Sequence, residues 1–355
     1  MNIVVTGGAG FIGSHLCEAL LKQGHKVINI DNFHDYYSYE IKIRNILEST
    51  GNHELIIDFE DIVLKEQNKT PKNEIIETLC NTVENENYKL YFNDIRDMNE
   101  LEKIFSTEKP EFVINLAGLA GVRPSLKNPI LYEDVNVKGT MNLLELCNKF
   151  EIKKFIQASS SSVYGNNKQT PFKETDIVDF AISPYAATKK SCEVMGHVYH
   201  HLYNIDMFQL RFFTVYGERQ RPDLAIHKFT KLMSRNQKIT MYGEGNSFRD
   251  YTYIGDIIQG IMKSIDYLIT HENVYEILNL GESHTISLKE MIETIEKELG
   301  VKADIEILPM QAGDVDKTYA DISKAKNLIG YCPETKFENG IKKFIIWYKN
   351  NQNNI

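Results

Sequence analysis

Short apolar segments alternate with amphipathic segments over about the first 215 residues of the chain. The apolar segments are continuous runs, which is typical of strands buried on both faces of a parallel sheet. They lie at 2–6, 26–31, 89–93, 111–117, 153–158 and 206–213. Helical patterns lie between them, at 11–23, about 39–48, 97–106, 132–150 and 185–203. This alternation predicts a doubly wound α/β domain built on a parallel sheet.

Two parts of the chain depart from this alternation. Residues 50–87 form a polar stretch with nine acidic and three basic residues, which predicts an inserted helix and loop that decorate the surface. Beyond about residue 216, shorter mixed elements predict a smaller α/β domain over the carboxyl edge of the sheet. We therefore predict a first domain at 1–216, a second mainly at 217–350, with 250–270 packing back on the first, and a polar tail at 351–355.

Composition narrows the classes of function. The chain has 355 residues, of which 42% are hydrophobic and 25% charged, as in ordinary globular proteins. A formal net charge of −9 argues against non-specific nucleic-acid binding. Five scattered cysteines without a CxxC pair indicate a reducing compartment, and the histidines show no metal-ligand spacing. Since no apolar run reaches membrane-spanning length, we expect a cytoplasmic protein that binds no metal, nucleic acid or membrane.

A glycine-rich stretch, TGGAGFIG at residues 6–13, follows the first predicted strand and opens the first predicted helix. Glycines in this position permit a tight turn and let backbone N–H groups approach a pyrophosphate at the positive end of the helix. The residues that we predict to bind the cofactor here are Gly7, Gly10, Phe11, Ile12 and Gly13. The domain at 1–216 is therefore predicted to bind a dinucleotide, and the domain at 217–350 to bind mainly the substrate.

An acidic residue, Asp31, ends the second predicted strand 18 residues after Gly13. A carboxylate in this position accepts a hydrogen bond from the 2′-hydroxyl of the adenosine ribose and repels a 2′-phosphate. Asn32 and Phe33 follow it, and neither is an arginine that could hold such a phosphate. The sequence therefore predicts NAD rather than NADP as the cofactor, with Asp31 and Asn32 among its ligands.

Two further motifs carry candidate chemistry. Residues 158–165 read ASSSSVYG at the end of the fifth predicted strand, and residues 183–190 read SPYAATKK at the start of a helix. Tyr185 and Lys189 are four residues apart and share a helix face, where an ammonium group favours the phenolate form of a nearby tyrosine. Each motif alone also fits a purely structural interpretation. The first would be a serine-rich strand-to-loop junction, and the second an amphipathic helix start with a buried tyrosine and a solvated lysine. Together with the glycine-rich turn, they predict an oxidoreductase-type site.

Nearly the whole chain resembles the extended short-chain dehydrogenases/reductases, and within them the nucleotide-sugar 4-epimerases. The resemblance rests on motifs that run from TGGAGFIGSHL through DNFHDYY, NVKGT, SSSSVYG, YAATK, YGEGNSFRDYTYIGD and QAGDVDKTYAD. AGVRPSLKNP, RFFTVYG and the Asp-Tyr-Tyr after Asp31 are most similar to UDP-glucuronate 4-epimerases.

The resemblance implies roles for particular residues. As catalytic residues it implies Tyr185, Lys189 and Ser160. The resemblance implies that Asp94 and Ile95 contact the adenine of NAD. It also implies that the rest of the cofactor is lined by Leu116, Ala117, Asn136, Tyr185 and Lys189. Near the UDP-sugar it implies Thr214, Arg221, Arg249, Asp314 and Arg123. We add the hypothesis that Ser161, Ser162 and Arg123 hold a glucuronate carboxylate away from the geometry that expels CO₂.

The implied activity is NAD-dependent 4-epimerisation of a UDP-hexose, chiefly UDP-glucuronate to UDP-galacturonate, by a homodimer formed through the helices at 132–150 and 185–203. Four alternatives remain open: a UDP-N-acetylglucosamine or UDP-glucose 4-epimerase, a 4,6-dehydratase, a decarboxylase and a non-enzymatic NAD-sensing scaffold. Ser161-Ser162 stands where a dehydratase would have an Asp-Glu pair. Four features depart from the family pattern: Asn115 in place of His, Glu218 in place of Pro, Gly255 in place of Asp, and the 50–87 insert.

Overall fold

The computed structural model describes residues 1–56, 59, 70–83, 85–309 and 317–351. These residues form two compact units that interleave along the chain. The first comprises Met1–Ser159, Ser183–Gln209 and Ser264–Glu276, and the second comprises Ser160–Ile182, Leu210–Lys263 and Ile277–Ile355. The sequence predicted a boundary near residue 216, with 250–270 packing back on the first domain. In the structure the chain passes between the units several times.

The structure describes twelve strands, of which the first six follow the predicted apolar runs closely. They are β1 Asn2–Thr6, β2 Lys26–Asp31, β3 Tyr88–Phe92, β4 Phe112–Asn115, β5 Lys154–Ser160, β6 Asp206–Phe212, β7 Thr214–Tyr216, β8 Ile239–Tyr242, β9 Phe248–Tyr253, β10 Tyr275–Leu280, β11 Thr285–Ser287 and β12 Ile305–Leu308. A parallel seven-stranded sheet has the order β10-β6-β5-β4-β1-β2-β3. The strand order reverses between β1 and β4, the position where doubly wound sheets bind ligands at the carboxyl ends of their strands.

The helices lie between these strands along the chain and after the last of them. They are α1 Phe11–Lys22, α2 Tyr39–Thr50, α3 Lys72–Thr82, α4 Met98–Glu108, α5 Val122–Lys127, α6 Pro129–Glu133, α7 Gly139–Lys149, α8 Pro184–Tyr203, α9 Ala225–Ser234, α10 Ile254–Thr270, α11 Leu288–Leu299, α12 Ser323–Ile329 and α13 Phe337–Asn351. Within the described residues, no helix is long and apolar enough to cross a bilayer.

Burial on both sheet faces explains the continuous apolar runs in the first unit. Val4, Ile28 and Val113 lie on neighbouring parallel strands, and together with Leu143 of α7 and Phe155 of β5 they belong to one fully buried cluster. Full burial of side chains of this size contributes about 1.5–3 kcal/mol each. The core therefore fixes the register of the strands whose carboxyl ends carry the candidate site.

The 50–87 insert contributes more than a polar surface. Its helix α3 buries Ile75, Ile76 and Leu79 and packs against β3. The sequence predicted an inserted helix that decorates the surface, and the structure gives this helix a buried apolar face. The predicted features at 57–58, 60–69 and 84 lie outside the described residues.

The second unit contains a three-stranded sheet in the order β11-β9-β7, in which β9 is antiparallel to β11 and parallel to β7. Asp250 on β9 is fully buried and accepts hydrogen bonds from the backbone N–H groups of Glu282, Ser283 and Ala320. Burial nevertheless raises the pKa of Asp250 to about 6. Burial, together with the nearby carboxylates of Asp256 and Asp250, raises the pKa of Glu282 to about 8.

Because of this carboxylate cluster, we expect the unfolding free energy to fall as pH rises. Between the ordinary pKa of Glu282, 4.5, and its raised value of about 8, the folded chain retains a proton that the unfolded chain has released. The unfolding free energy therefore decreases with pH over that interval. We expect Glu282→Gln to flatten the dependence of Tm on pH between 4.5 and 8, and to exceed the wild type in Tm at pH 8. Thermal denaturation across this range checks it, and parallel wild-type and Glu282→Gln profiles would contradict it.

Candidate functional site

The glycine-rich turn joins β1 to α1 in a close-packed arrangement. Gly7 has a φ of +74°, and its N–H donates to Ile30 O at 2.8 Å, while Gly10 N–H donates to Gly7 O at 3.0 Å. A Cβ atom on residue 13 would lie 2.7 Å from Gly8 Cα and would also collide with the Gly7 carbonyl. A side chain at Gly13 would thus push α1 away from the turn.

The amino end of α1 can hold an anion. Gly10 is its N-cap, so no side chain caps the helix, and its first turn contains no acidic residue. Phe11, Ile12 and Gly13 occupy the first helical positions, whose N–H groups have no acceptor within the helix. The positive end of the helix dipole and these donors fit the pyrophosphate of a dinucleotide.

Asp31 lies at the end of β2, directly beside this turn. Its buried carboxylate accepts hydrogen bonds from Ala9 N–H at 3.1 Å and Phe33 N–H at 2.8 Å. Lys42 of α2, a residue that the sequence analysis missed, has its Nζ 3.7 Å from an Asp31 oxygen. Burial lowers the pKa of Lys42, and the Asp31 carboxylate partly offsets this effect. Since Lys42 lies eleven residues beyond Asp31, only the helix packing reveals the pair.

Asp94 and Ile95 follow β3 at the same edge of the sheet. The Asn32 amide donates to Asp94 at 2.7 Å, and Arg96 forms hydrogen bonds with the same carboxylate through its backbone and guanidinium groups. Although burial alone would raise it, these hydrogen bonds hold the pKa of Asp94 at about 2. Ile95 is buried, and a Cβ atom on Gly139 of α7 would collide with it.

The loop after β4 is tied to β1. Leu116 N–H donates to Thr6 O at 3.2 Å, and Ala117 N–H donates to Thr6 Oγ1 at 3.2 Å. Asn115, one of the departures from the family pattern, is fully buried and donates to Gln157 at 2.9 Å. It also accepts a hydrogen bond from the Thr6 hydroxyl at 2.6 Å. Asn115 therefore links strands β1, β4 and β5 beneath the predicted cofactor residues.

Asn136 lies in a π-helical turn, Asp134–Lys138, that interrupts the single helix predicted at 132–150. Its amide oxygen accepts a hydrogen bond from Leu119 N–H at 2.8 Å, and its amide nitrogen donates to Leu119 O and Thr188 Oγ1, both at 3.0 Å. The side chain thus fastens the loop after β4 to α8. The structure gives Asn136 this structural role, and its predicted place along the cofactor stays a prediction.

Tyr185 and Lys189 lie one turn apart on α8, as predicted. Ser183 caps the helix by accepting a hydrogen bond from Ala186 N–H at 3.1 Å. Lys189 is only 5% exposed, and its Nζ donates to Ala158 O near the end of β5 at 2.8 Å. The half-buried Tyr185 packs edge-on against the Tyr132 ring at 6.3 Å. The purely structural interpretation, in which Lys189 is a solvated surface residue, is therefore excluded.

Glu193 is a buried residue on the same helix that the sequence analysis missed. It lies one turn beyond Lys189, is 1% exposed and accepts a hydrogen bond from the Ser159 hydroxyl at 2.7 Å. Lys190 lies 3.4 Å from its other oxygen. The four-residue spacing that extends from Tyr185 through Lys189 was the available signal. Glu193 fixes α8 to the end of β5.

The serine cluster begins the second unit. Ser160 is buried, and its Oγ accepts a hydrogen bond from Ser162 N–H at 3.1 Å, which caps a 3₁₀ turn at Ser161–Tyr164. The Ser160 hydroxyl keeps its own proton for donation. Ser161 and Ser162 are partly exposed. The buried Arg211 guanidinium lies 4.8 Å from the Tyr164 ring centre, which indicates a structural role for Arg211.

The small sheet of the second unit brings two predicted substrate residues to one face. Thr214 of β7 pairs with Tyr251 of β9, and Arg249 lies two residues before Tyr251 on the same strand. Because alternate residues of a strand share a face, Thr214 and Arg249 point to the same side. Arg221 binds the carboxylate of Asp223 through two hydrogen bonds, at 2.9 and 2.8 Å.

Two further residues were predicted to bind the substrate, Arg123 and Asp314. Arg123 is exposed on α5 of the first unit, and Asp314 lies outside the described residues.

Two departures from the family pattern meet at Tyr253, whose hydroxyl donates to Glu218 at 2.9 Å. Gly255 leaves room for the Tyr253 ring, since a Cβ atom there would lie 2.8 Å from it. Within the described residues, no group of three His, Cys, Asp or Glu side chains could hold a metal ion.

Comparison with known proteins identifies the family. A family model described as GDP-mannose 4,6 dehydratase matches residues 4–58 and 54–344. The chain is 43% identical to an uncharacterized protein of Methanocaldococcus jannaschii, over 99% of this chain and 97% of that one. It is 41% identical to a UDP-glucuronate 4-epimerase of Thermodesulfobacterium geofontis, over 98% and 96%.

A solved structure shares the fold. It is that of the UDP-glucuronic acid 4-epimerase from Bacillus cereus in complex with UDP-glucuronic acid and NAD, and it matches with a TM-score of 0.82, 33% identity and coverage of 99% of both chains. The predicted fold class is therefore confirmed, as is the resemblance on which it partly rested. The chain belongs to the GDP-mannose 4,6-dehydratase family of extended short-chain dehydrogenases/reductases.

Proposed function

We propose that the protein is an NAD-dependent UDP-sugar 4-epimerase that interconverts UDP-glucuronate and UDP-galacturonate. The observation that carries this proposal is the buried Lys189, held on α8 at the end of β5, one turn after Tyr185. This pair shares a unit with a glycine-rich turn that fits a pyrophosphate. Relatives that match this chain over nearly their whole length are named as UDP-glucuronate 4-epimerases.

The proposed catalytic residues move one proton. Tyr185 takes the proton of the sugar 4-hydroxyl as a phenolate and later returns it to the 4-keto oxygen. Lys189 stabilises the phenolate by its charge, and Ser160 donates a hydrogen bond to the same sugar oxygen. NAD supplies a hydride acceptor and donor for carbon 4, and each cycle regenerates it. Rotation of the 4-keto sugar between the two hydride transfers inverts the centre.

Residues of the first unit are proposed to hold NAD. Their backbone or side-chain groups meet successive parts of the cofactor, from the pyrophosphate to the nicotinamide. For the pyrophosphate these are Gly7, Gly10, Phe11, Ile12 and Gly13; for the adenosine, Asp31, Asn32, Asp94 and Ile95; and for the remainder, Leu116, Ala117, Asn136, Tyr185 and Lys189. A cradle that a Cβ atom on Gly13 would fill supports the first group.

Residues of the second unit, together with Arg123 of the first unit, are proposed to hold the UDP-sugar. The shared face of Thr214 and Arg249 supports a diphosphate contact, since guanidinium groups bind phosphate oxygens in pairs. We further assign Arg221 to the diphosphate and Asp314 to the uridine ribose. Ser160, Ser161, Ser162 and Arg123 are assigned to the sugar, the last three to its carboxylate. The partial exposure of Ser161 and Ser162 leaves their hydroxyl groups accessible to a ligand.

Nuclear magnetic resonance of the purified protein with UDP-glucuronate and no added NAD tests the function. Formation of UDP-galacturonate is the expected result, and it would show the substrate and a retained cofactor together. Conversion of UDP-N-acetylglucosamine alone, even after NAD is supplied, would refute the glucuronate assignment and the carboxylate role of the serines. A pentose product would identify a decarboxylase instead.

We also propose a homodimer formed through α8 and α7. The helix α8 exposes an apolar stripe, with Val194 at 52%, Val198 at 38% and Leu202 at 57% exposure. Exposed apolar residues in a row along a helix mark an interaction surface. We expect Val198→Glu to convert a dimer to a monomer in sedimentation velocity, whereas the matched control Ile269→Glu, at an exposed apolar residue of α10 outside the proposed interface, should remain a dimer. A wild-type monomer at micromolar concentration would contradict the proposal.

We also propose a cytoplasmic location. All five cysteines, including the exposed Cys332, are free thiols, which suits a reducing compartment.

A further inference from the structure

The loop at 32–37, which follows Asp31, connects several carboxyl-end loops of the sheet. Asn32 of this loop donates to Asp94 after β3 at 2.7 Å. Tyr36 of the same loop donates to Ala120 O after β4 at 2.9 Å. In a doubly wound fold this edge of the sheet surrounds the adenosine half of the cofactor. The shape of the loop at 32–37 therefore bears on how firmly NAD is held.

The backbone of this loop is in an unfavourable conformation at Phe33. Its φ is +48°, in the left-handed region that bulky residues rarely adopt, and its side chain is fully buried. Its N–H donates to the Asp31 carboxylate at 2.8 Å, which couples this conformation to the proposed ribose ligand. Such a conformation persists only where the surroundings hold it.

Two lysines hold the carbonyl groups of this strained segment. Lys42 Nζ donates to His34 O at 3.1 Å. Lys72 Nζ donates to the preceding carbonyl, Phe33 O, at 2.7 Å and also pairs with the Asp35 carboxylate. The Lys72 side chain is 26% exposed, so its ammonium is partly shielded from water where it meets the loop.

Lys72 comes from the 50–87 insert. It is the first residue of α3, and the buried Ile76 and Leu79 anchor that helix against β3. A cation at the amino end of a helix opposes the helix dipole, so this position does not favour α3 itself. The ammonium group instead stabilises the loop at 32–37, which it contacts.

We propose that the insert supplies a positioning residue for the cofactor: Lys72 fixes the loop at 32–37 in the shape that binds adenosine and thereby sets how slowly NAD is released. The proposal rests on the proposed NAD site. Lys72 acts through the loop, because its hydrogen bonds go to Phe33 and Asp35 rather than to the predicted ligands Asp31 and Asn32.

The test compares NAD release from variants of the full chain. Protein loaded with NAD is mixed with an enzyme that destroys free NAD, and the bound NAD is followed over time. We expect Lys72→Met, which keeps an unbranched side chain but removes the ammonium group, to release NAD about tenfold faster, as for loss of a charged hydrogen bond. Lys72→Arg restores most of the retention. Asp35→Asn, which leaves the bond to Phe33 O intact, has a smaller effect than Lys72→Met.

Two further measurements separate positioning from general damage. At saturating NAD, the kcat and the KM for the UDP-sugar of Lys72→Met are expected to stay within about twofold of the wild type. The matched control is Lys149→Ala, which removes another first-unit ion pair, with Glu102, and should release NAD at the wild-type rate. If Lys72→Met releases NAD at the wild-type rate, or loses as much affinity for the UDP-sugar as for NAD, the inference is wrong and the proposed function is unaffected. A wild-type protein that binds no NAD even when NAD is supplied overturns the proposed function and the inference with it.

Discussion

Replacement of Tyr185 by phenylalanine is expected to lower kcat for UDP-glucuronate epimerisation by about 10²–10⁴-fold, the usual contribution of a positioned acid or base. Phenylalanine preserves the edge-on packing against Tyr132 and removes only the hydroxyl that would exchange a proton with the sugar. NAD content and the affinity for UDP should therefore stay near the wild-type values. Steady-state kinetics, absorbance of extracted NAD and calorimetry with UDP measure these quantities.

The matched control for this prediction is Tyr132→Phe. Tyr132 is the other member of the ring pair, and its hydroxyl donates to Ala120 O at 2.6 Å. Loss of this neutral hydrogen bond costs about 0.5–1.5 kcal/mol of stability and leaves the chemistry intact. If Tyr185→Phe retains activity within about tenfold of Tyr132→Phe, Tyr185 is not the base.

Gly13→Val is expected to abolish NAD retention and to destabilise the first unit. The added side chain would collide with the Gly7 carbonyl and begin 2.7 Å from Gly8 Cα, so α1 must move away from the turn. Overpacking of this kind costs about 1–3 kcal/mol. The same movement withdraws the first-turn N–H groups from the pyrophosphate, so we expect the NAD content of the purified protein to become undetectable. Thermal denaturation and quantification of extracted NAD test both effects.

Gly24→Asn serves as the control at the opposite end of the same helix. Gly24 follows α1 with a φ of +77°, and no atom lies within 4 Å of the position that its Cβ would take. Asparagine tolerates the left-handed conformation better than other side chains, so this variant should keep its NAD. Equal NAD loss in both variants would show that any disturbance of α1 releases NAD. Normal NAD content in Gly13→Val would show that the glycine-rich turn does not hold the pyrophosphate.

Sequence alone identified the features that depend on local pattern. The runs at 2–6 and 26–31 match β1 and β2 in both bounds, because strands buried on both faces contain an uninterrupted apolar run. The glycine-rich turn was identifiable because its geometry excludes side chains from fixed positions. The spacing of Tyr185 and Lys189 was sufficient to place them on one helix face.

Tertiary structure decided what depends on partners distant in the chain. The pattern at 132–150 predicted one helix, but the π-helical turn at Asp134–Lys138 interrupts it, and Asn136 there binds Leu119 and Thr188. Lys42 and Lys72 meet the loop after β2 only because α2 and α3 pack beside it. Hydrophobic period reports which face of an element is buried, whereas hydrogen bonds between distant residues follow from how the elements pack. For this reason sequence determined the first six strands of the sheet, the turn and the spacing of Tyr185 and Lys189, and only the tertiary structure revealed β10 and the lysines that hold the loop.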